Sequence, residues 1–369
     1  MSRVFFAPRR ADFKNPVLGR YSQLIEEMRL EEGIGVNDTV AVKVHFGEEG
    51  VTSFLRPIFL RPLTDRIRSC GGLPFLTDSN TLYRGERSDG VRHLETALRH
   101  GFGYEATGAP AVIADGMDGG DRVEVEVDGE YFSRVYIAGE ARRAKAIVVL
   151  SHFKGHMSFG FGGALKNIGM GLASKMGKLE IHSGSSPRIK KKNCIGCGVC
   201  AGWCPSDAIK IKDGTAFIER EKCSGCGQCV MVCPQEAISV RWGKDNAALQ
   251  RRTAEYAAGV MKNREGRIWF MNFLMDVTPE CDCFSFTDSP VVPEIGILGS
   301  NDPVALDQAC WDLVSSAPAL PGSAAEGAPP GAEKFSICHP GADPGVLLSY
   351  ASELGLGERQ YSLVEISNK

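Results

Sequence analysis

Apolar and polar positions along the chain alternate between a period near two and a period near 3.6. TVAVKVHF (39–46) is a β-rich run, and RPIFLRPLTDRIRSCGG after it carries helical spacing and stops on glycine. LPFLTDSN predicts a short strand running into a polar turn, and VRHLETALRHG a second helix with a glycine stop. VEVEVDGEYFSRVYI alternates around Asp128-Gly129, the signal of a two-residue hairpin, and AKAIVVL reads as a buried strand. Further on, NAALQRRTAEYAAGVMK predicts a helix, while RIWFMNFL and VPEIGIL predict strands. Asn301-Asp302-Pro303 is a helix start, with cap and then proline. The Pro/Ala/Gly-rich stretch 315–334 reads as a flexible surface loop.

Strand–helix alternation of this kind predicts an α/β domain with a mostly parallel sheet. Ligands of such sheets sit beyond the carboxyl ends of the strands. Three predicted strand ends carry polar groups there: His45, the Thr77-Asp78-Ser79-Asn80 turn, and the segment from His152 to His156. The last opens SHFKGHMSFGFGGALKNIGMG, which packs two histidines, two lysines and six glycines into 21 residues. It contains neither G-K-[ST] nor G-x-G-x-x-G, so a nucleotide loop is disfavoured. The G-F-G-G element ahead of ALKNIGMG resembles a loop opening a helix, where free amides favour an anion. Gly160, Gly162, Gly163, Asn167, His152, Asp78 and Asn80 are therefore candidate cofactor-binding residues. Lys166, one turn into the helix, would pair with a carboxylate or phosphate. His156, Lys166 and His45 are the candidate catalytic residues. The alternative is structural, with the glycines permitting close packing and the histidines hydrogen-bonded.

Composition narrows the setting. The chain has 369 residues, 43% of them hydrophobic, and a net charge of −3, which argues against a nucleic-acid or membrane-surface binder. MSRVFFAPRR has no apolar leader core, and no run approaches about 18 apolar residues. Thirteen cysteines in a chain this long do not suit a disulfide scaffold, so a reducing, cytoplasmic and anaerobic setting is expected.

Eight of those cysteines explain themselves. CIGCGVCAGWCP from Cys194 and CSGCGQCVMVCP from Cys223 both follow C-x-x-C-x-x-C-x-x-x-C-P, the bacterial ferredoxin spacing for [4Fe-4S] clusters. In that arrangement Cys194, Cys197, Cys200 and Cys233 hold one cluster, and Cys223, Cys226, Cys229 and Cys204 the other. Pro205 and Pro234 turn the chain away from each run, and glycines 196, 198, 225 and 227 let backbone amides reach the sulfurs. Two structural zinc sites are the alternative, but zinc needs only four thiolates, usually as paired C-x-x-C units. AIKIKDG and AISVRWG follow the two runs as short strands. Three segments are expected: an α/β domain over 1–187, an inserted two-cluster ferredoxin module over 188–241, and the rest of the α/β domain over 242–369. The module's nine Lys/Arg against five Asp/Glu are offset by about −2 per cluster with its thiolates, so RIKKKN reads as charge balance or a solvated face. An acidic redox partner docking there is the alternative.

Cys70, Cys310 and Cys338 are scattered and suit buried packing positions. Cys281 and Cys283 stand at C-x-C spacing in TPECDCFSF, where two thiolates can share a soft metal. Asp276 and Asp282 add carboxylates, and His45, His152 or His156 would join if the segment returns to the sheet's carboxyl edge. His182, in KLEIHSG, is a further candidate ligand or a bridge toward the clusters. A pair of idle thiols remains the alternative.

These residues also carry a family resemblance. VKVHFGE, FLTD-x-NTLY, SHFKGH…GFGGALKN-x-GMG, CDCF and IGIL…DPVA together resemble the family called domain of unknown function 362, over nearly the whole chain. A ferredoxin fusion is typical of that family, and it has no established reaction. More distantly, H-x4-GF-x-GG-x-K is similar to the N-terminal domain of the lactate racemase family, which uses a nickel–pincer nucleotide. That resemblance implies an acid/base histidine at His156, a pincer-linked lysine at Lys166 and a nickel ligand at His182. The spacings are ten and sixteen residues. The family's G-T-H segment is replaced here by TDSN.

The combined expectation is an iron–sulfur oxidoreductase. Two [4Fe-4S] clusters would move electrons to or from an anionic ligand, cofactor or further transition metal in the α/β domain. A redox partner protein or a small-molecule substrate would complete the circuit, and the oligomeric state is left open. A non-catalytic electron carrier or a cofactor or metal assembly factor is one alternative; a nickel–pincer-like isomerase is another.

Overall fold

The computed structural model describes residues 1–366 other than 84, 184–186, 205, 224–226 and 240–244. Cys226, Gly225 and Pro205 therefore lie outside the described residues. In chain order the strands are β1 Ser2–Pro8, β2 Thr39–Lys43, β3 Leu73–Asp78, β4 Ala111–Ile113, β5 Arg122–Glu126, β6 Arg134–Ala138, β7 Ala146–His152 and β8 Lys154–His156. They continue as β9 Gly160–Gly162, β10 Arg188–Ile189, β11 Ile209–Lys212, β12 Thr215–Ile218, β13 Ile238–Ser239, β14 Ile268–Leu274, β15 Gly296–Ser300 and β16 Tyr361–Glu365.

Eight of them form one sheet in the order β16-β1-β15-β14-β7-β2-β3-β4. Pairing from β14 through β7, β2 and β3 to β4 is parallel throughout, and β15 alone runs against its neighbours. The mostly parallel α/β sheet is thus as the alternation predicts.

The central strands are apolar on both faces because each face is covered. Period-two alternation sorts their side chains into two cores. Ala41, Ile147, Val149 and Phe270 enter one core, against the helices Asn246–Met261 and Pro303–Ser316. Val40, Val42, Val148, Leu150 and Met271 enter the other, with Tyr21, Leu24 and Ile25 of the helix Val17–Glu27 and Leu60, Leu63 and Ile67 of the helix Leu60–Ser69. The result is three layers, helix, sheet and helix.

The stretch from β10 to β13 adds no strand to this sheet, whereas β14, β15 and β16 after it rejoin it. It forms two small antiparallel pairs, β10 with β13 and β11 with β12. A separate apolar cluster there holds Cys200, Cys229, Cys233, Ile209, Ile218 and Ile238, joined by Leu82 and Leu179 from the larger layer.

Three local expectations are corrected. The hairpin between β5 and β6 closes over 127–133 rather than at Asp128-Gly129, because the buried Glu255 carboxylate accepts from Tyr131 N (2.9 Å) and Phe132 N (2.8 Å). That pull widens the turn. The VPEIGIL strand begins only at Gly296, although Ile295 N already bonds to Leu274 O at 2.9 Å. The stretch 317–333 has neither helix nor strand, yet it packs down, with Ala325 fully buried and Leu320 N bonded to Val291 O at 3.0 Å.

Candidate functional site

The carboxyl ends of β2, β3, β7 and β14 converge, as a parallel sheet requires, and a cavity of about 1100 Å³ opens above them. Lys43 ends β2 fully buried, with Nζ 3.1 Å from Asp78 Oδ1 at the end of β3 and 2.7 Å from Asn167 Oδ1. Burial works against the Asp78 carboxylate, but Lys43, with His93 and His45, outweighs it and holds the pKa well below 3.8. This ion pair forms the floor.

His45, two residues past β2, contacts Arg87 Nη1 through Nε2 at 3.0 Å, and its Nδ1 accepts from Gly47 N at 3.0 Å. Burial pushes its pKa well below 6.5, so the ring is neutral. Arg87 also reaches Glu48 Oε2 at 3.3 Å and is itself buried. A neutral ring accepts at one nitrogen only, so the anchor of Arg87 at the cavity wall is the Glu48 carboxylate, with His45 packed beside it.

β7 leads through Phe153 into the hairpin β8–β9, whose register pairs His156 with Gly160. His156 lines the cavity, and burial, followed by the charges of Lys166 and Lys154, keeps it neutral. Lys154 Nζ lies 2.7 Å from Asp282 Oδ1; Asp282 and Cys281 outweigh burial and raise the lysine pKa above 10.5. Lys166 Nζ stands 3.7 Å from Cys281 Sγ. Beyond β14 the chain turns so that Phe284 N bonds to Cys281 O at 3.0 Å, which brings both sulfurs to one side. The hydrogen bond from Cys283, helped by Lys166 and Lys154 against burial, lowers the Cys281 pKa to about 6, while the same bond raises that of Cys283. The pair thus shares one proton. Its sulfurs and a ring nitrogen of His156 all lie within 4.8 Å of one another.

The expected residues separate into those that face the cavity and those that support it. His45, Asp78, His156, Gly162, Gly163, Lys166, Asn167, His182 and Cys283 line it. Cys281 lies beneath, 1% exposed. His182 is held neutral at a pKa of about 3 by burial and then by Lys166 and Lys178. His152 does not line the cavity; its Nε2 donates to Met275 O and Asp276 O at 3.0 and 2.9 Å. Asn80 also stands behind the wall, with Nδ2 on Asp115 Oδ1 and Gly116 O. Gly160 faces Pro344 in a left-handed conformation, φ +75°. Asn167 spends its amide on Leu150 O and Ser151 Oγ, so it positions Lys43.

One mechanism is overturned. The amides that open the helix Ala164–Gly169 are not free for an anion: Ala164 N and Leu165 N donate to the buried Asp307 at 2.7 and 3.0 Å. A Cβ on Gly163 would fall 2.3 Å from Asp307 Oδ1, so the glycine is there for the carboxylate. Asp276, expected near a metal, pairs with Arg56 at 2.7 Å instead.

Arg87, Lys154, Lys178 and Arg252 were not among the expected site residues, and all four line the cavity. Lys154 stood in the histidine-rich segment and was legible there. Arg87 and Lys178 carried no local signal. Five cations (these four and Lys166) face two carboxylates, Asp78 and Asp245, across the lining. Of the five, Lys154 and Arg87 are also paired with Asp282 and Glu48 behind the wall, which leaves Lys166 and Arg252 among those without a carboxylate partner in the described residues.

Two smaller cavities lie in the satellite region. Cys194, Cys197, Cys200 and Cys233 line one, and Cys204, Cys223 and Cys229 line the other. Backbone amides of Ala216, Ala208 and Ala237 point at the sulfurs of Cys194, Cys204 and Cys233 at 3.3, 3.2 and 3.3 Å. Leu82 lines the large cavity and also packs in the cluster that holds Cys200, Cys229 and Cys233.

Fold and site define a three-layer α/β protein with a cavity lined by lysine, arginine, histidine and cysteine side chains at the carboxyl edge of its sheet. Residues 40–312 match the family described as domain of unknown function (DUF362), and the chain belongs to that family. Among solved structures it is similar to the lactate racemase apoprotein from Thermoanaerobacterium thermosaccharolyticum, at 13% identity and TM-score 0.39, covering 75% of this chain and 51% of that one. It is also similar to a protein from Thermotoga maritima, at 11% identity and TM-score 0.42, covering 83% and 60%. The chain thus spans about half the length of the racemase. No curated protein matches the sequence. Among the described residues no helix is long and apolar enough to cross a membrane.

Proposed function

We propose that the two cysteine runs hold two [4Fe-4S] clusters and that single electrons pass between them and an anionic small molecule in the large cavity. The protein would then be a low-potential oxidoreductase of a reducing cytoplasm, with residues 188–241 as its inserted ferredoxin module. The position of Leu82 carries this reading: one side chain borders both the cavity and the cysteine cluster, so only a short span of packed protein separates them.

The donor set fits the group. Each small cavity gathers cysteines of one run with the fourth cysteine of the other, in the exchange that the ferredoxin spacing requires. Amides aimed at sulfur stabilise thiolate charge and help set potential. Gly198 and Gly227 adopt φ +77° and +74°, conformations that let the backbone wrap closely around each cavity. When bound, such clusters supply electrons one at a time at low potential. Cys197 is exposed, as are Ile195 and Trp203 of the same run, 63% and 61%, so a redox partner protein can reach that run from outside.

In the large cavity the chain's own groups bind and orient. Lys166 and Arg252 hold an anion, and Arg87 stays fixed by Glu48. Phe159 and Met170 exclude water from one wall. Convergence of Lys, His and Cys in a deep cavity favours an enzyme over a simple carrier, which needs only an exposed cluster face.

A redox titration of the anaerobically purified full chain tests the reading. Cluster potentials are followed by electron paramagnetic resonance with and without the anionic small-molecule fraction that copurifies. The wild type should shift potential on rebinding that fraction, and Lys166→Ala should not. Equal potentials throughout, with no copurifying anion, would contradict the coupling.

A further inference from the structure

We propose that His156, Cys281 and Cys283 form a mononuclear site for a thiophilic divalent cation such as Zn2+, with its fourth coordination position open to the cavity. The proposal rests on the cavity being the place where the ligand is bound, and it names the group that would meet that ligand.

Three soft or borderline donors lie within 4.8 Å of one another, close enough that a small inward shift brings them to the roughly 3.3–3.8 Å that tetrahedral bonds of about 2.0–2.3 Å require. Two elements bring them there. The Cys281–Phe284 turn directs the two sulfurs the same way. The β8–β9 hairpin then closes on the same segment: Gly155 N bonds to Thr278 O at 2.8 Å, and a Cβ on Gly155 would meet Pro279 O at 2.0 Å. Only glycine allows that approach, and the next residue is His156.

The neighbouring acid is engaged by a lysine, although its Oδ1 also lies 3.5 Å from Cys281 Sγ. Asp282, between the two cysteines, is turned to Lys154 at 2.7 Å, which leaves a sulfur–sulfur–nitrogen set. Such a set selects thiophilic ions over magnesium or calcium. Three protein ligands with an open position mark a site that acts on a ligand, whereas purely structural sites are closed by four. His156 and Cys283 face the cavity, so the open position does too.

Charge is consistent with this assignment. Two thiolates and one divalent cation sum to zero. Lys166, 3.7 Å from Cys281 Sγ, then keeps its positive charge for an anion held at the fourth position. In the metal-free arrangement His156 Nδ1 accepts from Ser158 N at 3.1 Å. Ligation exchanges this single backbone bond for a coordinate bond.

The experiment adds Zn2+ alone to the anaerobic full chain, after removal of loosely bound metal, and records X-ray absorption at the zinc edge. That edge reads the zinc shell independently of cluster iron. Expected is about one zinc per chain, with two sulfurs at about 2.3 Å and an imidazole nitrogen at about 2.0 Å. Cys281→Ser and Cys283→Ser should each weaken zinc binding by on the order of 100-fold or more, with iron content unchanged. A shell without sulfur, or affinity unaltered in Cys283→Ser, overturns the site. Full iron without zinc binding overturns this site and leaves the cluster reading standing. Zinc bound here in a chain that takes up no iron does the reverse.

Discussion

Burial decides the protonation of His182, which lines the cavity, and of His93, which stands beside Asp78 outside the lining. His93 packs edge-on against Phe46 and lies 3.7 Å from Asp78, and burial depresses its pKa to about 4. His182 falls to about 3 for the same reason. Both rings bind fewer protons folded than unfolded between their depressed values and 6.5, so they favour folding above pH 6.5 and lose that contribution as the pH falls. His93 alone should account for about 2 kcal/mol of stability lost between pH 7 and pH 5. Chemical denaturation of His93→Gln should show a shallower acid limb than the wild type; parallel limbs would remove His93 as the cause. At this scale the two cysteine runs were legible because their pattern is one of local spacing. The pairs Lys154–Asp282, Lys43–Asp78 and Arg87–Glu48 were not, since the partners come from segments far apart in sequence and no local pattern joins them.

Strands and helices followed from periodicity, because each central strand is buried on both faces and each flanking helix presents one apolar stripe. What periodicity could not reveal was which buried acid claims which amide. Glu255 opened the β5–β6 hairpin, and Asp307 occupied the amides at the start of the helix Ala164–Gly169. Asp307 also accepts from Asn272 Nδ2 of β14 at 2.6 Å, so one carboxylate fastens that helix to the sheet and to the helix Pro303–Ser316. Asp307→Asn keeps one acceptor oxygen but sets an amide donor against one of the two backbone N–H groups, and should cost about 1–3 kcal/mol, read as a lower denaturant midpoint. An unchanged midpoint would mean that the glycine-rich loop is held by packing alone.

For the whole molecule, the sheet places the cavity. β2, β3, β7 and β14 are parallel, so their ends meet on one edge, and the polar residues following each strand become neighbours. Three of those ends were legible as polar strand termini. The fourth contribution, from the segment after β14, depended on a crossover across the cysteine-rich stretch, and sequence could state it only as a condition. The same crossover sets that stretch beside the cavity, with Leu82 between them. The central claim is that this stretch holds two clusters near enough to each other and to the cavity to exchange electrons. Iron and sulfide analysis of the anaerobic full chain, with electron paramagnetic resonance after dithionite reduction, tests it most directly. The account predicts about eight iron and eight sulfide per chain and the broadened, spin-coupled signal of two neighbouring [4Fe-4S] centres. Two zinc ions per chain with no labile sulfide, or one isolated cluster signal, would contradict it.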